Sequence, residues 1–433
     1  MTQKQTRLVS AAFALAMVCT LFFSFHNGIE WGFFGHRKIN RQAVFTLPPP
    51  MMIFFKKNIE YLTNHAVDPD MRRYAAKHEA VRHYIDLDVW GKPPFDNVPR
   101  NWVDMLIKFT QVDVVNAVGD TIPFNIRVGD LDVAPEDYVE INKKYLNANN
   151  TTGIESFASK NKAFAANANR MPYSIYKRFF SNNILPKYYE DEWVLSCDTL
   201  QKYLGKQIDC ETVIAHEHFT KDGIVPYHLV SMQRRLTRAF ESNDTKRILQ
   251  LAAEFGHYIG DAHVPLHTTV NYNGQLTNQK GIHAFWESRL PELYADEEYD
   301  FWVGKARLIE DPESYYWDIV LTSHSYVDSV LQIEKQLFLE MGDRKYCFDE
   351  RGALLVKTEC QAYAKAYHQR LQGMVERRMR DAILAVGNAW YTAWVDAGQP
   401  NLAKYVFSDD TDSEASKALK NAFQKGEIIG REH

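Results

Sequence analysis

The sequence lacks most of the short motifs that identify common enzyme classes. Its 21 glycines form no G-x-G-x-x-G, no G-x-x-x-x-G-K-[ST] and no G-x-S-x-G, which argues against nucleotide-cofactor, P-loop and α/β-hydrolase chemistry. The H-E-x-x-H motif is also absent, because His83 follows His78 and Glu79 one residue too late. No C-x-x-C occurs, so a cysteine zinc site is not expected.

An excess of charge of one sign is missing as well. The 50 basic and 55 acidic residues give a formal net charge of −5, so no basic field draws this chain to nucleic acid. With only 21 glycines and 16 prolines among 433 residues, and no repeat, the chain is neither collagen-like nor broadly disordered. The 9 Trp, 23 Tyr and 25 Phe can fill a large core.

The N-terminus has the pattern of an export signal. Lys4 and Arg7 precede an uncharged, mostly apolar run over residues 8–25, and such a segment is excluded from fold reasoning. No A-x-A cleavage site follows, so residues 1–30 are predicted to be a signal peptide or an N-terminal anchor. The protein is accordingly expected to be exported: periplasmic, extracellular, or tethered to a membrane through residues 8–25. No other stretch is long and apolar enough to span a membrane.

Apart from Cys19 in the N-terminal segment, four cysteines form two evenly spaced pairs. Cys197 and Cys210 are thirteen residues apart, as are Cys347 and Cys360. Since export permits disulfides, this spacing predicts two local bridges, with four free thiols as the alternative.

Apolar spacing predicts a mainly α protein. The expected helices cover about 51–64, 226–263 with a break near Asn243, 325–341 and 361–396. Periodicity weakens over about 87–225, and strand-like alternation is scarce. We expect one large helical domain over residues 31–405 with an irregular insertion at about 87–225, followed by a polar tail over 406–433.

Histidines and acidic residues cluster in the segment from Gly256 to His267, GHYIGDAHVPLH. His257 and Asp261 are four residues apart, so a helix places them on one face, side by side, as a metal site requires. Pro265 should end that helix and let His267 turn back toward the same pocket.

A second pair repeats the pattern, because His283 and Glu287 are also four residues apart. A lone pair of this kind is usually a surface feature, whereas two such pairs with a histidine between them favour a metal site. An N-terminal set then precedes both pairs in the chain: WGFFGH from Trp31 to His36, Asp68 and Asp70, and His83.

In order and spacing, these motifs resemble those of the zinc-dependent phospholipase C and S1/P1 nuclease superfamily. The resemblance covers residue 31 to about 290 and implies a single large helical domain with three zinc ions. It implies a first zinc bound by Asp70, His83, His257 and Asp261, and a second bound by His267, His283 and Glu287. The third zinc would bind His36, a second oxygen of Asp261, and the α-amino and carbonyl groups of Trp31. That third site depends on processing immediately before Trp31, and Asp68 stays open as an alternative to Asp70.

The resemblance implies hydrolysis of phosphodiester bonds, with metal-activated water attacking phosphorus in line. Asp70 or Glu287 would assist as base. Glu287 as the last ligand resembles the phospholipase branch, as does the short interval between His267 and His283. WGFFGH resembles the nuclease branch instead.

The expected substrate is therefore a phospholipid head group or, as the alternative, single-stranded nucleic acid. Contact with a membrane surface is possible, and no protein partner is inferred. Trp90, Trp102 and Trp286 would stack bases, touch lipid or pack in the core. A second alternative is a non-catalytic zinc-binding surface protein.

Overall fold

Amphipathic helices with well-defined ends form most of the computed structural model, which describes residues 33–125, 138–142, 144–145, 170–204, 207–351 and 354–402. The expected signal or anchor over 1–30, Trp31 and the tail over 406–433 lie outside the described residues. The prediction of a mainly α protein is confirmed. Among the described helices, none combines the length and apolar content needed to cross a lipid bilayer.

The chain divides into two compact units. The first combines the chain up to Asp86 with the chain from Ile224 onward, and the second is Leu87–Gly223. All the histidines and carboxylates of the predicted metal site that are described belong to the first unit.

Helices dominate the first unit. Its α-helices are Phe33–Ala43, Pro49–Lys57, Ile59–Asn64, Asp68–Arg72, Val225–Glu241, Thr245–Ala262, Ile282–Ala284, Leu290–Tyr294, Pro312–Ser325, Val327–Met341, Gln361–Arg370 and Met374–Asp396. Short 3₁₀ helices cover Val44–Thr46, His65–Val67, Ala80–Arg82, Pro265–Thr268 and Gly342–Arg344, and a π-helical turn covers Phe285–Arg289.

The predicted break near Asn243 is confirmed. Asn243 has a positive φ of 53°, and the Asp244 side chain caps the next helix by accepting a hydrogen bond from the Arg247 amide at 3.0 Å. The stretch 361–396 is also divided, because Gly373 adopts a left-handed conformation with φ 74°. Helix Pro312–Ser325 was not predicted; Asp311 caps it and Pro312 occupies its first turn.

The second unit is more regular than the predicted irregular insertion. A four-stranded antiparallel sheet has the order β2-β1-β6-β5, formed by β1 (Thr110–Val115), β2 (Thr121–Pro123), β5 (Trp193–Leu195) and β6 (Thr212–Glu217). A second, two-stranded sheet pairs β3 (Tyr138–Glu140) with β4 (Arg170–Pro172). The described α-helices are Trp102–Phe109, Tyr173–Asn183 and Cys197–Leu204, with 3₁₀ helices at Leu87–Trp90, Leu185–Lys187 and Thr220–Asp222. Buried and half-buried side chains alternate along β1, but strands this short give a weak sequence signal.

The two cysteine pairs differ. Cys197 and Cys210 form a disulfide, as predicted. Cys347 and Cys360 are free thiols, so the second predicted bridge is wrong for this structure. Cys347 lies in β7 (Tyr346–Arg351) and Cys360 directly follows β8 (Leu354–Glu359). The register of this hairpin pairs Cys347 with Thr358 rather than with Cys360. Burial and a hydrogen bond with Cys360 raise the pKa of Cys347 to about 11, which keeps it in the less reactive thiol form.

Two helices of the first unit approach closely at a pair of glycines. We call Phe33–Ala43 the His36 helix and Thr245–Ala262 the Asp261 helix. A Cβ on Gly256 would lie 1.8 Å from Oδ1 of Asn40, and one on Gly260 would lie 2.9 Å from Nδ1 of His36. The Asn40 amide is buried and donates to the carbonyl oxygens of Ala253 at 2.9 Å and Leu62 at 3.2 Å. The missing side chains on the Asp261 helix therefore make room for the His36 helix.

Gly256→Ala should lower the free energy of unfolding by about 1–3 kcal/mol, because the methyl group overpacks this contact. Equilibrium denaturant unfolding measures the effect. Gly35→Ala is the control, since a Cβ there meets nothing closer than the Glu287 carbonyl oxygen at 3.8 Å. Equal stability of the two variants would contradict the close approach as a source of stability.

Candidate metal centre

The Asp261 helix supplies the centre of the site. His257 and Asp261 lie one turn apart on it, with 0% and 1% of their surfaces exposed. Nε2 of His257 is 3.3 Å from Oδ2 of Asp261. The pairing that the spacing of four predicts is present because the α-helix continues through both residues.

His267 returns to the same carboxylate after the helix ends. The Asp261 helix stops at Ala262, and the 3₁₀ helix Pro265–Thr268 reverses the chain. This brings Nε2 of His267 to 3.7 Å from Oδ1 of Asp261. The predicted effect of Pro265 is confirmed.

Glu287 lies in the π-helical turn Phe285–Arg289, which continues the short helix Ile282–Ala284. Single π-helical turns are frequent at functional sites, since the extra residue redirects a side chain. Oε2 of Glu287 is 2.7 Å from Nε2 of His283 and 3.4 Å from Nε2 of His267. These three residues form one potential metal-binding group.

The His36 helix brings an N-terminal histidine to both carboxylates. Nε2 of His36 is 3.4 Å from Oδ1 of Asp261 and 3.4 Å from Oε1 of Glu287. Its ring stacks on that of His257, with centroids 3.9 Å apart. His36, His257 and Asp261 form a second potential metal-binding group.

The third group consists of Asp70, His83 and His257. Oδ1 of Asp70 is 3.6 Å from Nε2 of His257 and 3.8 Å from Nδ1 of His83. Asp68 points elsewhere, because its Oδ2 pairs with Nδ1 of His65 at 2.7 Å. The structure therefore places Asp70 rather than Asp68 among the histidines.

Eight of the nine sequence-predicted ligands thus converge, and the ninth, Trp31, lies outside the described residues. Within each group the potential ligand atoms lie within 4.8 Å of one another. The Asp261 carboxylate links the groups: Oδ1 faces His36 and His267, while Oδ2 faces His83 at 2.9 Å and His257.

Backbone carbonyls orient three of the histidines. Nδ1 of His257 is 2.8 Å from the Ala66 oxygen, and Nδ1 of His267 is 2.8 Å from the His83 oxygen. Nδ1 of His283 is 3.2 Å from the Tyr272 carbonyl oxygen. A carbonyl oxygen only accepts, so each Nδ1 donates to the main chain and each Nε2 is directed into the site, where it could ligate a metal ion. This arrangement is typical of metal-ligating histidine.

The electrostatics of the three carboxylates differ. Burial raises the pKa of Asp261 to about 7, although His267 and His36 act against the shift. Burial has the same tendency at Asp70 and Glu287, but interactions with neighbouring side chains outweigh it. The pKa of Asp70 is lowered by His257 and Arg73, and the pKa of Glu287 is lowered well below its usual value by His267 and His283. Burial lowers the pKa of His257, which favours its neutral, ligating form.

The donor set fits a divalent cation. Five imidazoles and three carboxylates converge; the imidazoles and Asp261 are buried, whereas Asp70 and Glu287 are half-buried. A buried carboxylate requires a counter-charge, and imidazole nitrogen and carboxylate oxygen are both metal ligands. The residues present could therefore hold a metal ion.

The sequence motifs did not identify Glu79 as part of the site; it appeared only in the incomplete H-E-x-x-H pattern. Glu79 is fully buried, and its Oε1 lies 3.8 Å from Nε2 of His83. Its position depends on partners distant in sequence, Tyr258 among them. Two tryptophans considered for base or lipid contact, Trp90 and Trp286, are buried, whereas Trp102 is half-buried.

Comparison with known proteins adds no family assignment. No protein-family model matches the chain, and no curated protein is a match. The superfamily resemblance therefore rests on the motifs themselves and stays a prediction.

Asp70→Asn should weaken metal binding, because it removes a charged oxygen donor. The affinity should fall by at least about 10–100-fold, which is the loss seen when a residue that only hydrogen-bonds to a metal ligand is replaced. The measurement is Zn²⁺ competition against a chromophoric chelator, with metal content by mass spectrometry. Asp68→Asn is the matched control: it alters a carboxylate that pairs with His65 and belongs to none of the three groups, so the potential ligands stay in place. Equal weakening in both variants would contradict the assignment of Asp70.

Metal removal should destabilise the protein, since Asp70, Asp261 and Glu287 then repel one another without a cation between them. A ligand at 100 times its Kd stabilises the folded state by about 2.7 kcal/mol per site. Thermal unfolding of the chelator-treated protein, with and without added Zn²⁺, measures this effect. An unchanged Tm on adding Zn²⁺ would count against a metal centre in the folded state.

Proposed function

We propose that the protein is an exported, zinc-dependent hydrolase of phosphodiester bonds that resembles phospholipase C. The observation that carries the proposal is the arrangement around Asp261, whose two oxygens face separate sets of histidines. A carboxylate shared in this way can bridge neighbouring cations. Clustered cations are a common device for reactions at phosphate.

Zinc suits this donor set. The groups offer imidazole nitrogen and carboxylate oxygen without sulfur, as catalytic zinc sites commonly do. His267, His283 and Glu287 would hold one ion, and Asp70, His83, His257 and Asp261 a second. His36 and Asp261 would hold a third together with Trp31, if processing exposes its amine.

Zinc ions at these positions would supply positive charge to phosphate oxygens and lower the pKa of bound water. The protein's own contribution is to hold the carboxylates at different depths. The side chains of Asp70 and Glu287 are 21% and 15% exposed, whereas that of Asp261 is 2% exposed. Water can therefore contact Asp70 and Glu287, and the proposal assigns the role of base to one of them, while Asp261 is buried.

Two features favour a phospholipid head group over single-stranded nucleic acid. The net charge of −5 supplies no general attraction for a polyanionic backbone. Glu287 as the last ligand also resembles the phospholipase branch.

Export agrees with the disulfide between Cys197 and Cys210, because such bonds persist in oxidising compartments. The proposal accordingly includes passage through a membrane, directed by residues 8–25.

The test is hydrolysis by the chain beginning at Trp31, assayed in parallel on phosphatidylcholine vesicles and single-stranded DNA. We expect chelator-sensitive release of a phosphorylated head group, restored by Zn²⁺. Asp261→Asn should lower kcat/KM by about 100-fold or more, since loss of even an indirect partner costs 10–100-fold. Asp68→Asn, the control outside the groups, should retain activity.

Other outcomes separate the alternatives. Release of nucleotides would move the protein to the nuclease branch. Bound zinc without turnover on either substrate would favour a zinc-binding surface protein, and absence of bound zinc would overturn the ligand assignment.

A further inference from the structure

We propose that Glu79 is a positioning residue that sets the tautomer of His83, so that Nδ1 of His83 faces the metal centre. The inference rests on the proposed metal site and adds a residue to it. Glu79 is not a member of the three potential metal-binding groups; it acts through the imidazole of His83.

His83 is turned the opposite way from its neighbours. His257, His267 and His283 direct Nδ1 to main-chain oxygens and Nε2 into the site. In His83, Nδ1 enters the site instead, 2.9 Å from Oδ2 of Asp261 and 3.1 Å from Nε2 of His257. His83 can ligate a metal from this position only when its proton resides on Nε2.

Two carboxylates compete for that proton. Asp261 lies beside Nδ1, and Glu79 lies on the opposite edge of the ring, with Oε1 3.8 Å from Nε2. This distance exceeds a direct hydrogen bond, so Glu79 acts as a nearby buried charge that favours a proton on Nε2. Both side chains are fully buried, which strengthens the interaction because little water screens it.

The surroundings of Glu79 hold it in this position. Arg72 donates from Nε to Oε2 at 3.0 Å, and Arg82 donates from Nη1 to the same oxygen at 2.8 Å. The Tyr258 hydroxyl donates to Oε1, the oxygen nearest His83. The two guanidinium groups offset the cost of burying the carboxylate, and Tyr258 fixes the orientation of Oε1.

The same network contains a matched control. Glu254 is also buried, at 4% exposure, and it accepts from Nη1 of Arg72 at 2.9 Å. Its second hydrogen bond is with Gln250 at 2.8 Å, rather than with a histidine of the site. Glu254→Gln therefore perturbs the shared Arg72 while leaving the Glu79 carboxylate beside His83.

The experiment compares Glu79→Gln and Glu254→Gln in the chain beginning at Trp31, by Zn²⁺ competition against a chromophoric chelator. We expect Glu79→Gln to weaken the affinity of one zinc site by about 10–100-fold, the range for a residue that orients a metal-ligating histidine. Glu254→Gln should bind zinc like the wild type. Equal affinity in Glu79→Gln and the wild type, or equal weakening in both variants, would overturn the inference.

If Glu79→Gln does not fold, a measurement on the wild-type protein still tests the inference. In ¹⁵N-histidine NMR of the zinc-loaded protein, the ring assigned to His83 by its loss in His83→Gln should carry a proton on Nε2. A proton on Nδ1 would overturn the inference.

Zinc binding and tautomer are read without turnover, so the inference can be separated from the proposed function. A wild type that binds zinc but hydrolyses nothing would refute the hydrolase and leave Glu79 to be judged on affinity. A wild type that binds no zinc would overturn both.

Discussion

The buried carboxylate of Asp261 is the constraint on which the site depends. It is 1% exposed, and imidazole nitrogens of His36, His83, His257 and His267 surround it at 2.9–3.7 Å. Burial raises its pKa to about 7, far above the ordinary value near 3.8. Burial therefore disfavours the ionised form of this carboxylate. A cation bound here would favour the ionised form, because it supplies full positive charge beside it.

Bringing separate chain segments to one carboxylate requires an unusually close helix contact. Gly260 leaves room for the His36 ring, and Gly256 leaves room for Asn40 one turn earlier. A side chain at either position would force Asn40 or the His36 ring to shift. The chain then reverses at Pro265, so that His267 reaches Oδ1 of Asp261, the oxygen that His36 also faces. Gly256 and Gly260 therefore serve both the close packing of the two helices and the approach of His36 to Asp261.

Sequence reasoning succeeded where helical periodicity alone determines the geometry. His257 and Asp261 are neighbours because residues four apart share a face of an α-helix, and His283 and Glu287 stay in contact although a π-helical turn begins between them. Asp68 and Asp70 could not be separated in this way, because only the fold shows which carboxylate reaches His83 and His257. Glu79 was missed for the same reason: Arg72 and Tyr258 give it its position. The sheet of the second unit was missed because strands of three to six residues carry little periodicity.

The three carboxylates of the site differ in how deeply they are buried. Asp261 is sealed, and its contacts with four histidines make it the structural centre. Asp70 and Glu287 are the more exposed members, at 21% and 15% of their side chains. Interactions with neighbouring groups lower the pKa values of both against the effect of burial, whereas burial raises the pKa of Asp261. Ionisation is therefore least favourable at the most buried carboxylate, so a cation beside Asp261 would compensate the group that needs it most.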